Sequence, residues 1–137
     1  IILGKFKPEA NLCCKKGMYA AHTGGGNTGS IGVSICGMLN FKNKNSQGPY
    51  PFTKIQFETT MKLCAKLAKK YNITVTPDTV MTHYEFGQKH PKTSSYGKID
   101  IVFIPPYPWI SKDDAGSFIR SKIRWYEEHL DSKEEAI

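Results

Sequence analysis

The sequence predicts a single α/β domain, because two segments with the alternation of β-strands are interleaved with two segments of helical periodicity. The chain has 137 residues, which is the size of one ordinary domain and enough to bury a core without disulfides. Hydrophobic residues make up 39% of it, which excludes a disordered or fibrous chain. No repeat or internal boundary is visible, so we expect one domain over residues 1–137.

The first strand is predicted at residues 30–38, SIGVSICGM, where isoleucine and valine alternate with small residues. The second strand is predicted at residues 98–104, KIDIVFI. In this strand Lys98, Asp100 and Val102 would share one face, and the other face would carry Ile99, Ile101 and Phe103.

The first helix is predicted to begin after Thr53, which has the spacing of a capping box with Gln56. Apolar residues then step by three and four along one face and predict a core-facing stripe. This stripe comprises Phe57, Met61, Cys64, Ala68 and Tyr71. The second helix is predicted to begin near Ser111, with two aspartates in its first turn. Its stripe comprises Ala115, Phe118, Ile119, Ile123, Tyr126 and Leu130. The charged tail at 131–137 is expected to fray.

The net charge of +7 favours polyanionic surroundings, either nucleic acid or an anionic cell-wall polymer. A solvated surface that keeps the protein soluble would explain the charge equally well. Only two arginines occur, Arg120 and Arg124, whereas proteins that recognise bases usually use arginine for bidentate contacts. We therefore expect no nucleic-acid partner, and a basic nucleic-acid-binding domain is kept as an alternative.

The four cysteines include no C-x-x-C pair, which excludes a zinc ribbon and a thioredoxin motif and indicates a reducing compartment. No apolar run reaches the length of about 20 residues that spans a bilayer. No signal peptide is visible at the start of the chain.

One histidine, one lysine and one carboxylate lie close together in the stretch from Thr82 to Asp100. Two interpretations of His83, Lys98 and Asp100 are open from the residues alone. The charges can lie on the solvated face of a sheet. They can also form the floor of a cleft, where His83 and Asp100 bind a metal and Lys98 stabilises an oxyanion.

The glycine-rich segment AHTGGGNTGS, residues 21–30, is not a phosphate-binding loop, because it lacks G-K-[ST] and precedes a strand instead of following one. Its glycines are typical of backbone that approaches a neighbour closely or adopts a positive φ beside a cleft. His22, Thr23 and Asn27 would then be polar groups at the entrance of the strand. A flexible surface loop is the alternative.

Three segments together resemble a known family: AAHTGGGNTGSIGVSICG, HYE at residues 83–85, and GKID at residues 97–100. They are similar to the zinc-dependent N-acetylmuramoyl-L-alanine amidases of amidase type 2, in the bacteriophage-lysozyme and peptidoglycan-recognition-protein superfamily. The resemblance runs from about Tyr19 to Asp100 and is strongest for phage or prophage endolysins. It implies a central mixed β-sheet flanked by α-helices, one zinc ion, and hydrolysis of the amide between N-acetylmuramic acid and L-alanine in peptidoglycan.

The resemblance also implies roles for single residues. His83 and Asp100 would be zinc ligands, and Lys98 would be the electrostatic partner of the scissile carbonyl. The substrate groove would be lined by His22, Thr23 and Asn27.

The family has a further zinc histidine and a general base ahead of the matched segment, and no histidine precedes Tyr19 here. Because the first residue is Ile1 and not Met, we expect an N-terminally truncated chain with those groups upstream. A non-catalytic peptidoglycan-binding module with an incomplete zinc site is the alternative. The endolysin-like resemblance implies a monomer that stays in the cytoplasm until its release to the cell wall, and secretion by an unseen signal is the alternative.

Overall fold

A computed structural model describes residues 1–131 of the protein, and within them it contains three α-helices and no β-sheet. The helices are α1 (Lys54–Lys70), α2 (His83–Lys89) and α3 (Ala115–His129), and a short 3-10 helix spans Pro8–Leu12. The predicted α/β fold with a central mixed sheet is therefore wrong. Most of the tail that was expected to fray, residues 132–137, lies outside the described residues.

The two predicted strands are absent because neither segment has a partner strand. Within residues 1–131 the one β-type pairing outside helices is an isolated bridge between Asn43 and Ser46. At the second predicted strand Ile101 has a φ of 57°, a left-handed conformation that a β-branched residue rarely adopts and that turns the chain after Asp100. Alternation of apolar residues indicates burial on one side, but a strand also requires a neighbour for its backbone hydrogen bonds.

The chain forms two compact units. Unit 1 contains Ile1–Val33 and His83–Asp100, and unit 2 contains Ser34–Thr82 and the described residues from Ile101 onward. All the candidate site residues named from the sequence belong to unit 1. The two long helices, α1 and α3, belong to unit 2.

The capping box at the start of α1 is confirmed. Thr53 Oγ1 accepts a hydrogen bond from the Gln56 backbone N–H at 3.2 Å, and Gln56 Oε1 accepts one from the Thr53 N–H at 2.8 Å. These bonds satisfy two backbone donors that no helical carbonyl can reach. The buried face of α1 consists of Phe57, Met61, Ala65 and Ala68. Two members of the predicted stripe, Cys64 and Tyr71, are only partly buried.

The second predicted helix, α3, begins at Ala115, four residues later than the sequence indicated. Ser111 is not its cap, because the Ser111 hydroxyl donates to Asp114 Oδ2 at 2.8 Å ahead of the first helical turn. The predicted stripe of α3 is confirmed, with Ala115, Ile119 and Ile123 buried and the other three members packed against them. The stripes of α1 and α3 form one hydrophobic core with Phe52, Val75, Ile104 and Tyr107. No helix within residues 1–131 combines the length and the apolar character that crossing a membrane requires.

A polar cluster joins α1 to α3 at the edge of this core. The Glu58 carboxylate accepts hydrogen bonds from Lys122 Nζ at 2.7 Å, from the Tyr126 hydroxyl at 2.8 Å and from the Tyr107 hydroxyl. Burial alone would raise the pKa of Glu58, but the bonds from Lys122 and the two tyrosines outweigh it and hold the pKa below its usual range. Burial and the bond to Glu58 raise the pKa of Tyr126 to about 12.

The Glu58→Gln variant is expected to be less stable at neutral pH by about 1–3 kcal/mol, because it loses charge-assisted hydrogen bonds. Since the folded pKa of Glu58 is lowered, its contribution is complete above the ordinary carboxyl pKa and is lost as the pH falls through the folded value. Urea denaturation of both proteins between pH 7 and strongly acidic pH should therefore show a difference that shrinks with acid. The exposed Glu128→Gln on α3 is the control and should match the parent. A difference that is the same at both pH extremes would contradict the role of the charge.

Candidate functional site

The site in unit 1 is organised around His83, the first residue of α2. This seven-residue helix was not predicted from the sequence. The His83 side chain is 17% exposed and uses both ring nitrogens. Nδ1 lies 3.3 Å from Asp100 Oδ2, and Nε2 lies 3.0 Å from Ser95 Oγ. Two residues separated by 17 positions in the chain are thus brought into contact, as the metal-site interpretation requires.

The direction of the hydrogen bonds determines which nitrogen of His83 carries the proton. Ser95 Oγ donates its one hydrogen to the carbonyl oxygen of Gly24 at 2.8 Å, and a carbonyl can only accept. Ser95 Oγ can therefore only accept from His83, so Nε2 carries the hydrogen in the neutral ring. Nδ1 is left with a lone pair that faces the Asp100 carboxylate, which is also an acceptor. Two acceptors that face each other are stabilised by a cation between them.

The separation of the two acceptors suits a zinc ion. Ligands of a tetrahedral zinc ion, each about 2.0–2.2 Å from the metal, lie about 3.3–3.6 Å from one another. The measured distance of 3.3 Å between Nδ1 and Oδ2 lies in this range and is longer than a typical hydrogen bond of about 2.7–3.2 Å. Within residues 1–131, however, no three His, Cys, Asp or Glu side chains are grouped so that they could hold a metal. The pair fits two ligand positions, and the described residues do not complete the set.

Lys98 lies two residues before Asp100, and its side chain is exposed. Its backbone N–H donates to the Ser95 carbonyl at 3.2 Å, which closes a turn between these two residues. The structure thus keeps Lys98 on the segment that carries Ser95 and Asp100, on a turn and not on the predicted strand. Lys98 is thus an exposed residue two positions along the chain from Asp100.

The glycine segment of unit 1 packs closely against α2 and the residues that follow it. A Cβ added at Gly26 would lie 2.5 Å from the Phe86 ring, and one added at Gly25 would lie 2.5 Å from the Thr93 methyl group. Gly25 also has a φ of 86°, which other residues rarely adopt. The close approach expected from the sequence is therefore present, and it brings the Gly24 carbonyl to Ser95.

His22, Thr23 and Asn27 form one hydrogen-bonded loop. Asn27 Oδ1 accepts from the backbone N–H groups of His22 and Thr23, both at 2.8 Å. His22 Nδ1 lies 2.8 Å from Thr23 Oγ1, and its Nε2 lies 3.3 Å from Ser30 Oγ. The Asn27 side-chain oxygen thus holds the backbone of the loop in place, while the sequence analysis assigned Asn27 to the wall of a groove.

Burial lowers the pKa of His22, and the nearby His83 adds to this effect, although a hydrogen bond with Ser30 acts in the opposite direction. The imidazole of His22 is therefore neutral at pH 7. The glycine segment and α2 are linked through Ser95, whose hydroxyl bonds to both the Gly24 carbonyl and His83 Nε2.

Two residues that organise this site were not found from the sequence. Ser95 is fully buried, yet nothing in the run KTSSYG distinguishes it from the exposed Ser94. Asn11 is 2% exposed, bonds to both backbone groups of Ala20, and also donates to the Asn27 carbonyl at 3.1 Å. A buried asparagine in a loop-rich segment carries no periodic signal, so its partners become visible only in the fold.

Comparison with protein families gives one informative match. A family model described as N-acetylmuramoyl-L-alanine amidase matches residues 9–98, which is more than half of the chain. The matched span contains His22, Thr23, Asn27, His83 and Lys98, and ends two residues before Asp100. Comparison with curated proteins and with solved structures gives no significant match.

Proposed function

The chain belongs to the N-acetylmuramoyl-L-alanine amidase family, and from this premise we propose that it hydrolyses the amide between N-acetylmuramic acid and L-alanine in peptidoglycan. The observation that carries the proposal beyond family membership is the contact between His83 and Asp100 in unit 1. Their facing acceptors provide a place for a cation, and the exposed Lys98 lies two residues before Asp100 in the chain. In the reaction water adds its oxygen to the amide carbonyl carbon, the carbon–nitrogen bond breaks, and L-alanine leaves with a free amino group.

In this proposal His83 and Asp100 supply two of the ligands of the single zinc ion that the family typically uses. The donor set is suitable, because a neutral imidazole and a carboxylate are both common zinc ligands. A zinc ion bound at such a site supplies Lewis acidity that polarises a carbonyl and activates water. The His83 side chain is only 17% exposed, so its burial keeps water from one side of the pair. The Asp100 side chain is 61% exposed, which leaves the other side open to substrate.

Lys98 is proposed to stabilise the negative charge that develops on the amide oxygen. Lys98 is an exposed residue on the turn that leads into Asp100, and a fixed positive charge beside a reacting carbonyl lowers the barrier of such reactions. His22 and Thr23 are proposed to bind the substrate from the glycine segment. Asn27 would contribute by holding both of their backbone N–H groups.

The charge of the protein supports a substrate in the cell wall. A net charge of +7 attracts an anionic polymer and raises the rate of encounter with it. We extend the proposal to lysis of the cell wall in the manner of an endolysin, with the protein acting after its release from the cytoplasm.

The test is the chemistry of the products formed from purified peptidoglycan. We expect new amino-terminal L-alanine, no new reducing sugar ends, loss of the reaction after chelation, and its recovery when zinc is added back. New reducing ends without free alanine would indicate cleavage of the glycan strand and would refute the amidase proposal. Full activity in the presence of the chelator would refute zinc as the cofactor.

A peptidoglycan-binding module without activity is the second candidate, and one observation favours it. Three potential metal ligands are not gathered anywhere within residues 1–131. Sedimentation with insoluble peptidoglycan, combined with a metal analysis, separates the two candidates. Co-sedimentation without zinc and without release of alanine would select the binding module, whereas zinc together with release of alanine would select the enzyme.

A further inference from the structure

We propose that Ser95 is a positioning residue that holds His83 in the Nε2–H form, so that the lone pair of Nδ1 points at Asp100. The inference rests on the proposed function, because it concerns the orientation of a proposed zinc ligand. It adds Ser95, which is not one of the candidate ligands. It also identifies the Gly24 carbonyl as the acceptor that fixes the orientation of the Ser95 hydroxyl hydrogen.

The first argument is the number of hydrogens available. Ser95 Oγ lies 2.8 Å from the Gly24 carbonyl oxygen and 3.0 Å from His83 Nε2. A serine hydroxyl has one hydrogen, and the carbonyl can only accept, so that hydrogen is used at Gly24. In the other tautomer of His83, Nε2 would be a second acceptor facing Ser95 and would lose this bond. The Nδ1–H tautomer would instead donate to the Asp100 carboxylate at 3.3 Å, which is a longer contact to a side chain that is 61% exposed. The shorter bond to the fully buried Ser95 therefore favours the Nε2–H tautomer.

The second argument is that Ser95 cannot easily move. The Ser95 side chain has no exposed surface. Its backbone carbonyl oxygen lies against Gly87 of α2, only 2.1 Å from the position that a Cβ atom would take there. Gly87 is itself buried, so helix α2 and the Ser95 backbone are in direct contact. Water cannot reach the buried hydroxyl to supply a replacement partner, and the interaction with His83 is therefore retained.

The third argument is the chemistry of histidine ligands. A histidine that binds a metal through one nitrogen generally donates the other N–H to a nearby acceptor, and loss of that partner costs about 10- to 100-fold in metal affinity. Ser95 Oγ occupies this position for Nε2, and Asp100 lies on the opposite side of the ring. The same hydroxyl also connects His83 to the glycine segment, 71 residues away from Ser95 in sequence.

The test compares Ser95→Ala and Ser95→Cys with the parent and with Ser94→Ala, a neighbouring serine that is exposed. Nitrogen NMR of histidine-labelled, metal-free protein at mildly alkaline pH reports the tautomer of each neutral imidazole directly. The signals of His83 are identified by their loss in His83→Gln. Zinc affinity is measured in parallel by competition with a chromophoric chelator. Ser95→Cys keeps most of the buried volume, which provides a second variant if Ser95→Ala does not fold.

We expect His83 in the Nε2–H form in the parent and in Ser94→Ala, and a shift towards a mixture of tautomers in both Ser95 variants. Zinc affinity should fall about 10- to 100-fold in Ser95→Ala and stay unchanged in Ser94→Ala. Ser95→Cys is compared by its tautomer alone, because a thiolate beside His83 can itself bind zinc. A parent protein with the Nδ1–H form, or Ser95 variants with an unchanged tautomer, would overturn the inference. If the parent binds no zinc, the proposed metal of the enzyme is wrong, and the tautomer of the metal-free protein still decides the role of Ser95.

Discussion

Asp100→Asn is expected to lower the release of L-alanine from peptidoglycan at least about 100-fold, which corresponds to about 2.7 kcal/mol of transition-state stabilisation. The change removes the charge that faces the lone pair of His83 Nδ1 at 3.3 Å. An asparagine amide can donate a hydrogen bond to Nδ1, so the contact would be kept in a form that leaves no room for a cation. Loss of zinc binding should accompany the loss of activity.

Stability should not change with this substitution, because Asp100 is 61% exposed and the replacement can pair with His83. We expect its free energy of unfolding to stay within about 0.5 kcal/mol of the parent. Asp113→Asn removes the same charge at another exposed position and should leave activity and zinc binding intact. Undiminished release of L-alanine by Asp100→Asn would remove Asp100 from the site.

Phe57→Ala is expected to reduce the free energy of unfolding by about 3–5 kcal/mol. Phe57 has no exposed surface, and its ring lies 5.5 Å from that of Tyr107 and 5.9 Å from that of Phe118. The smaller side chain would leave a cavity between α1 and α3 that neighbouring groups cannot fill without leaving their own contacts. Proteins of this size have a total stability of about 5–15 kcal/mol, so the loss is a large fraction of it.

Urea denaturation followed by far-ultraviolet circular dichroism measures this effect. Ile55→Ala is the matched control, because Ile55 lies on the same helix and is 78% exposed. Its stability should differ from that of the parent by no more than about 0.5 kcal/mol. Equal losses in the two variants would contradict the role of Phe57 burial, because alanine has the higher helix propensity at both positions.

The parts of the fold that were predictable from the sequence depend on interactions within one or two helical turns. Thr53 and Gln56 are three residues apart, and their reciprocal bonds form once the first turn of α1 forms. The stripe of α3 was predictable for the same reason, since its spacing alone places Ile119 and Ile123 on one face. The start of α3 was less predictable, because Ser111 could have been a cap and instead bonds to Asp114.

The predicted strands failed because strand formation depends on a partner and not on the segment itself. The alternation in KIDIVFI predicted one buried face and one solvated face. Ile99, on the face expected to be buried, is instead 49% exposed. Phe103 and Ile104, which are neighbours and would lie on opposite faces of a strand, are both buried. A left-handed turn at Ile101 separates the two parts of this run. No feature of the seven residues indicates that turn, which falls where the chain passes from unit 1 to unit 2.

The sequence by itself determined the two long helices, most of their buried faces and the membership of the amidase family. The roles of His83, Lys98 and Asp100 are predictions from the sequence that activity measurements will test. Only the tertiary structure decided that the described residues form no sheet, and that Asn27 holds the backbone of its loop. It also decided that Nδ1 of His83 faces Asp100 while Ser95 takes Nε2. The physical reason is range, because helical periodicity and caps act between near neighbours. Strand pairing depends on partners that are distant in the sequence. The same holds for the hydrogen bond that the Ser95 hydroxyl donates to the Gly24 carbonyl, 71 residues away.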